Sequence, residues 1–178
     1  RGPKTNELTI AGKTDRTGTI IRFKPDPQIF GDLQYNFDTL SNRLRELAYL
    51  NDRLRIRLVD ELAGKECEFY FEDGIKDYCI HLAGGAEPLH RDVILIRDED
   101  EGAGVGCQVA LLFTDSYAEN ILCFANNINN VHGGTHMSAF KTAVSRVAGN
   151  YAKKSNLIKG NTNVVGDDWR EGLTSVVS

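Results

Sequence analysis

Long hydrophobic runs are missing from this 178-residue chain. No stretch approaches the ~18 apolar residues of a membrane-spanning helix, and the opening RGPKTNELTIAGKTDRTG lacks the hydrophobic centre of a signal peptide. The expectation is a protein neither inserted nor exported, with no membrane partner and a cytoplasmic location. Paired cysteines are missing too. Cys67, Cys79, Cys107 and Cys123 stand singly in apolar contexts with no C-x-x-C spacing, which predicts reduced, buried thiols. A strong charge of either sign is absent: 21 Lys and Arg against 25 Asp and Glu leave a net charge of -4. A surface basic throughout is therefore excluded, and any nucleic-acid contact must come from a local patch. There is no internal repeat, no low-complexity segment and no initiating methionine. The last of these predicts a piece of a longer polypeptide.

What is present is an ordinary globular composition, 41% hydrophobic and 26% charged, long enough to bury a core. Thr19–Lys24 is β-rich and is expected to end as a strand at Pro25-Asp26-Pro27, where proline removes ladder donors. From Asp38, a plausible N-cap with Phe37 before it, the pattern turns helical: Phe37, Leu40, Leu44 and Leu47 share one face. Strands are predicted over Leu54–Val59 and Glu66–Phe71, joined by a turn at Ala63-Gly64-Lys65. A short helix opens after Asp73-Gly74, carries Ile75, Tyr78, Cys79 and Leu82, and closes at Gly84-Gly85. Three more strands follow, Asp92–Arg97, Gly106–Thr114 and Asn120–Asn126. The first two are separated by the acidic, glycine-rich DEDEGAGVG, a loop that is mobile by composition. The longest helix is expected from about Gly134 to Lys153, with Met137, Phe140, Val144, Val147 and Tyr151 along one face. Gly166-Asp167-Asp168 caps a short turn, and a last strand runs from Leu173 to Val177. The order implies an α+β or α/β domain, helices against a mixed or mostly antiparallel sheet.

Several motifs fail on their spacing. Ala11-Gly12-Lys13-Thr14 resembles the end of a phosphate-binding loop, but Glu7 stands where its first glycine belongs. Gly102-Ala103-Gly104-Val105-Gly106 is followed by a strand, so no helix N-terminus would meet a dinucleotide phosphate. His132 and His136 flank Gly133-Gly134 without the glutamate base of a zinc helix, so no metal site is expected. The glycines instead serve as the passage from strand to helix. On that helix Lys141 lies one step, ~100°, from Phe140, and Arg146 lies on its far side. Together with Lys153 and Lys154 they either solvate a face or form a basic strip for a polyanion. Nothing arranges a nucleophile, base and orienting acid, so no catalytic residue is assigned.

Taken together, TGTIIRFKPDPQIF, LSNRLRELAYLN, IRLVDE, FYFEDGIKDY, FANNINNVHGGTHMSAFKTAVSRVAGNYAKK and GDDWREGLTSVVS resemble the DNA gyrase B family, the ATPase partner in type IIA topoisomerases. They cover nearly the whole chain in family order, and the B-type subunit of topoisomerase IV shares most of them. The resemblance implies that residues 1–31 are the last strands of a GHKL-type ATPase domain and residues 32–178 a transducer domain. The transducer fold it implies is ribosomal protein S5 domain 2-like, a mixed sheet backed by helices with a left-handed βαβ crossover. It implies ATP and Mg2+ as cofactors of the full-length enzyme and none held by this piece. The general-base Glu, Mg-binding Asn and glycine-rich lid would belong upstream of Arg1, and a Q-T-K loop reaching the γ-phosphate just beyond Ser178. Thr19 corresponds to a threonine near the adenine, and Ile21 lines the same neighbourhood. Lys141 falls where the family often has an arginine facing the cavity for the transported DNA segment, keeping the charge without the guanidinium fork. Arg146 is taken with it as cavity-facing. Trp169 departs from the small residue usual in GDDxREG. The implied partners are DNA, the gyrase A subunit in an A2B2 assembly, and a second gyrase B chain through the ATPase region. Other readings are the B-type subunit of topoisomerase IV, a stand-alone interaction module keeping the transducer fold, and a related chaperone- or mismatch-repair-type ATPase. The last fits the fold but not NNINNVHGGTH.

Overall fold

The computed structural model describes residues 3, 5–31, 33–158 and 164–178; Arg1 and the boundary expected at Asp32 lie outside the described residues. The chain divides into two compact units, Arg1–Tyr35 and Asn36–Ser178.

In the first unit, Pro27–Phe30 form one helical turn, α1, and the Asp26 side chain accepts from the Gln28 N–H at 2.9 Å. Proline at the first helical position costs nothing, because its missing N–H would have no partner there. The prolines thus open a helix. The strand expected over Thr19–Lys24 is not formed: a strand exists through its ladder, and no described segment of this unit pairs with it. Phe23 packs edge-on to Tyr35, ring centroids 5.7 Å apart.

The second unit begins with α2, Phe37–Leu50. Its N-cap is Asn36, whose side chain accepts from Thr39 N–H at 2.9 Å, and not Asp38 as the sequence pattern predicts. Asp38 instead occupies the first turn, where its charge favours the helix dipole. Strands β1 (Ile56–Asp60) and β2 (Lys65–Phe69) form an antiparallel hairpin with Leu58 opposite Cys67. Its wet face carries the cross-strand pair Arg57–Glu66 at 2.6 Å. Helix α3 spans Ile75–Ala83 and closes on Gly84.

The main sheet has five strands: β3 (Ile94–Asp100), β4 (Val105–Phe113), β5 (Asn120–Ala125), β6 (Ile128–Asn129) and β7 (Leu173–Val177), in the spatial order β3-β4-β7-β5-β6. β7 runs parallel to β5 and antiparallel to β4. The long helix α4, Thr135–Lys154, lies in the crossover between β5 and β7. Every residue of β7 is buried. Alternation sends Ala110, Leu112, Phe124 and Val176 to one face against Tyr49, Ile75, Tyr78 and Cys79 of α2 and α3. Val109, Leu111, Cys123, Leu173 and Val177 go to the other, where Met137, Phe140 and Val144 of α4 cover them. The fold is therefore α+β, a mixed sheet with helices on both faces.

Three expectations from the sequence give way. The acidic segment is largely strand: Asp98 pairs with Cys107 and Asp100 with Val105, leaving only residues 101–104 as the turn. Cys107 is exposed, because β4 runs past the cover of both helix layers at that end. On α4 the buried stripe continues from Val144 to Ala152, whereas Val147 and Tyr151 are about two-thirds exposed. A 3.6-residue period carries the sheet-facing line through positions 148 and 152, and leaves 147 and 151 on its flank.

Candidate functional site

Phe140 anchors α4 to the sheet, and Lys141, the next residue, emerges at the edge of that contact. Its ammonium pairs with Glu119, at the start of β5. The other oxygen of the same carboxylate accepts from Arg170 Nε at 2.7 Å. Arg170 ends the short turn Asp167–Arg170 that feeds β7, and its side chain is only 10% exposed. Its Nη1 donates to Ser145 Oγ (2.6 Å) and to the Gly166 carbonyl (2.8 Å), and its Nη2 pairs with Asp167. Ser145 Oγ in turn lies 3.0 Å from the carbonyl of Lys141 and 3.0 Å from that of Gly166. One guanidinium thus ties β5, α4 and the lead-in to β7 together, using the planar fork that lysine lacks.

The charges in this knot balance, Lys141 and Arg170 against Glu119 and Asp167. Burial alone would raise the Glu119 carboxyl, but the hydrogen bonds and charges of Lys141 and Arg170 outweigh it and hold the group below its ordinary value. Burial raises the Cys79 thiol to about 12, and it raises the Cys123 thiol as well, with Lys141 opposing. Both are inert core sulfurs.

Two hollows flank Lys141. A groove of about 720 Å³ runs between α4 and the Gly166–Arg170 segment, lined by Lys141, Arg146, Lys153, Arg170 and Trp169 among others and, among the described residues, by no carboxylate. On the other side a hollow of about 430 Å³ is lined by Tyr117, Glu119, Lys141, Arg170 and the acids Asp167, Asp168 and Glu171. Lys141 stands between a cationic and an acidic surface.

Of the residues singled out from sequence, Lys141 and Arg146 both line the cationic groove. Thr19 and Ile21 belong to the first unit and are exposed, Ile21 at 78%. His132 is exposed, whereas His136 sits in the first turn of α4 with its Nε2 buried and without a hydrogen-bond partner among the described residues. No group of three or more His, Cys, Asp or Glu among the described residues could hold a metal ion, and no described helix is long and apolar enough to cross a membrane. Sequence reasoning missed Glu119 and Arg170. They are 51 residues apart, and nothing local marks their meeting.

Residues 74–178 match the family model described as DNA gyrase B. The DNA gyrase B subunit of Halalkalibacterium halodurans is 46% identical over 181 residues, covering all of this chain and 28% of the relative. The chain spans between 28% and 44% of the length of the curated relatives it matches first. Among solved structures, the 43K ATPase domain of Thermus thermophilus gyrase B in complex with an aminocoumarin superimposes with a TM-score of 0.78. It is 40% identical, and the match covers 87% of this chain and 42% of that one. The topoisomerase IV ATP-binding domain of Francisella tularensis shares the fold, with a TM-score of 0.64 at 24% identity over 86% of this chain and 40% of that one.

Proposed function

Because this chain belongs to the DNA gyrase B family, we propose that it is the part of an ATP-dependent type II topoisomerase that couples nucleotide state to DNA strand passage. The second unit is the transducer. The observation that carries this reading is the family match over residues 74–178, the span that holds α4, β7 and the Arg170–Glu119 link between them. α4 presents Lys141 and Arg146 to a cation-lined groove, the side on which DNA would lie. β7 is wholly buried at the sheet centre, and it is proposed as the strand that carries the signal of a γ-phosphate-sensing loop in the complete chain. The Arg170 knot makes the two move together. A shift of β7 on nucleotide binding is then passed to α4 through charge-assisted hydrogen bonds, not through a flexible loop.

Thr19 and Ile21 are proposed as adenine-side contacts in the complete gyrase B chain, with magnesium and the remaining ATP contacts supplied by other parts of it. Driving a two-state change from 1:99 to 99:1 takes about 5.5 kcal/mol of differential binding, within reach of a triphosphate clamped by several charged groups. The proposed partners are DNA, a second gyrase B chain and the gyrase A subunit. Negative supercoiling is the proposed outcome; decatenation is the alternative, for which the shared fold of the topoisomerase IV domain speaks.

The test is a plasmid assay with the complete gyrase B chain together with its A partner. The expected result is ATP-dependent introduction of negative supercoils into relaxed circles. Efficient unlinking of catenated circles without supercoiling would establish the decatenation alternative. No ATP-dependent change of topology in either assay would overturn the reading.

A further inference from the structure

Strand β3 is the outer strand of the main sheet and, among the described residues, pairs only with β4. Its other edge keeps a row of backbone N–H and C=O groups without a ladder partner. One face of the strand is open as well. Leu95 packs into the core shared with α2 and α3. Residues directly opposite across an antiparallel pair share a face, so Ile94 and Ile96 lie on the α4 side with their partners Leu111 and Val109. Those partners are each 8% exposed in the cluster that α4 covers, whereas Ile94 is 47% and Ile96 52% exposed. The cover given by α4 stops one strand short of the edge. An open ladder and an apolar strip thus meet at β3, and these are the two things an added strand uses: main-chain hydrogen bonds for affinity and a surface for its alternate side chains.

Charge decides what fits there. Beyond Ile96 come Asp98, Glu99 and Asp100, and none of the three has an ion-pair partner among the described residues. The carboxylates of Asp98 and Asp100 accept only from the nearby N–H groups of Glu99 and Ala103, which leaves their charge in place. Arg97, the one cation of the strand, is turned to Asp52 at 3.4 Å. A second copy of β3 does not match this edge. In parallel register acids face acids, and in the centred antiparallel register Asp98 and Asp100 face Ile96 and Ile94. Nucleic acid is repelled outright.

We infer that β3 takes up an extended, basic segment of a partner protein as an added strand, with apolar side chains against Ile94 and Ile96 and lysine or arginine beside Asp98 and Asp100. The apolar and acidic halves of the edge are distinct, so a partner with the matching order is held in one register. This surface is separate from the groove beside α4, and the inference stands apart from the DNA-handling role.

The experiment uses the 178-residue chain and a fluorescein-labelled peptide matched to the seven residues of β3, Val-Thr-Val-Thr-Lys-Thr-Lys, together with its reversed sequence, so that both strand directions are offered. Label anisotropy reads binding, and amide hydrogen exchange locates it. Expected is saturable binding in one direction with slowed exchange within Ile94–Asp100. Asp98→Asn/Asp100→Asn should weaken it roughly tenfold, two exposed ion pairs being lost. Ile94→Thr/Ile96→Thr should weaken it several-fold and keep its salt dependence, both variants showing unchanged circular dichroism. The peptide N-methylated at every residue cannot complete a ladder and should not bind. Binding indifferent to both double variants or to N-methylation overturns the inference, since charge alone would then hold the peptide elsewhere, as at the hollow lined by Asp167 and Glu171. Slowed exchange of β3 that grows with protein concentration in the absence of peptide would make a second copy the occupant and overturn it too. Absence of binding in both directions overturns it outright.

Discussion

Glu119 accepts from Lys141 and Arg170 at once, so its removal leaves two cations facing each other across a half-buried junction. Hydrogen bonds to charged groups contribute about 1.5 to 3 kcal/mol, and Glu119→Gln, which keeps one acceptor, is expected to cost about 1 to 2 kcal/mol at neutral pH. The sign of the pH dependence follows from the depressed carboxyl. A lowered folded-state value means that the stabilisation is fully present above the unfolded value of 4.5 and is lost as pH falls through the folded one. Urea unfolding at pH 7, 5, 4 and 3 should therefore show a constant gap between wild type and variant down to about pH 5, closing below it. A gap that stays constant to pH 3 would leave Glu119 without the role assigned to it. Nothing in the sequence announces this pair, since ion pairs between distant residues have no periodicity. Lys141 was legible as a charge at the rim of an apolar stripe, but its partner was not.

Among the elements, those with a clear period were readable: the alternation of Ile56 and Leu58 with Arg57 in β1 and the 3-and-4 spacing of Met137, Phe140 and Val144 in α4 both correspond to inward-facing sides. Cys107 is exposed where β4 runs past the helix layers, and Val147 and Tyr151 are exposed because the 3.6-residue period leaves them on the flank of the α4 stripe. The two-residue strand β6 escaped notice because its only signal is Asn126-Asn127, both with positive φ, a two-residue hairpin turn. The junction between the Asp167–Arg170 turn and β7 depends on Gly172. Its φ is +73°, and a Cβ there would drive into the Thr114 carbonyl and come within 2.7 Å of that of Ser116. Gly172→Ala should therefore cost at least about 2 kcal/mol, combining left-handed strain with displaced backbone in the segment that follows β4. Gly104→Ala, with φ +62° but nothing within 4 Å, should cost about 1 kcal/mol from strain alone. Thermal unfolding of the two variants checks the difference. Equal losses would mean that the junction yields and cannot transmit a shift of β7 to α4.

Across the whole molecule, one path runs from a central strand through a single arginine to a cation-lined helix face, and under the proposed function that path would link nucleotide to DNA. The family was legible in the collinear segments of the sequence. The path was not, because it is assembled from β5, α4 and the turn before β7, which only the packed sheet brings together. The most direct measurement is the ratio of ATP turnover with saturating duplex DNA to turnover without it, in the complete gyrase B chain carrying Arg146→Ala/Lys153→Ala. The account predicts that the ratio falls several-fold toward one. A ratio equal to that of the unaltered protein would contradict it.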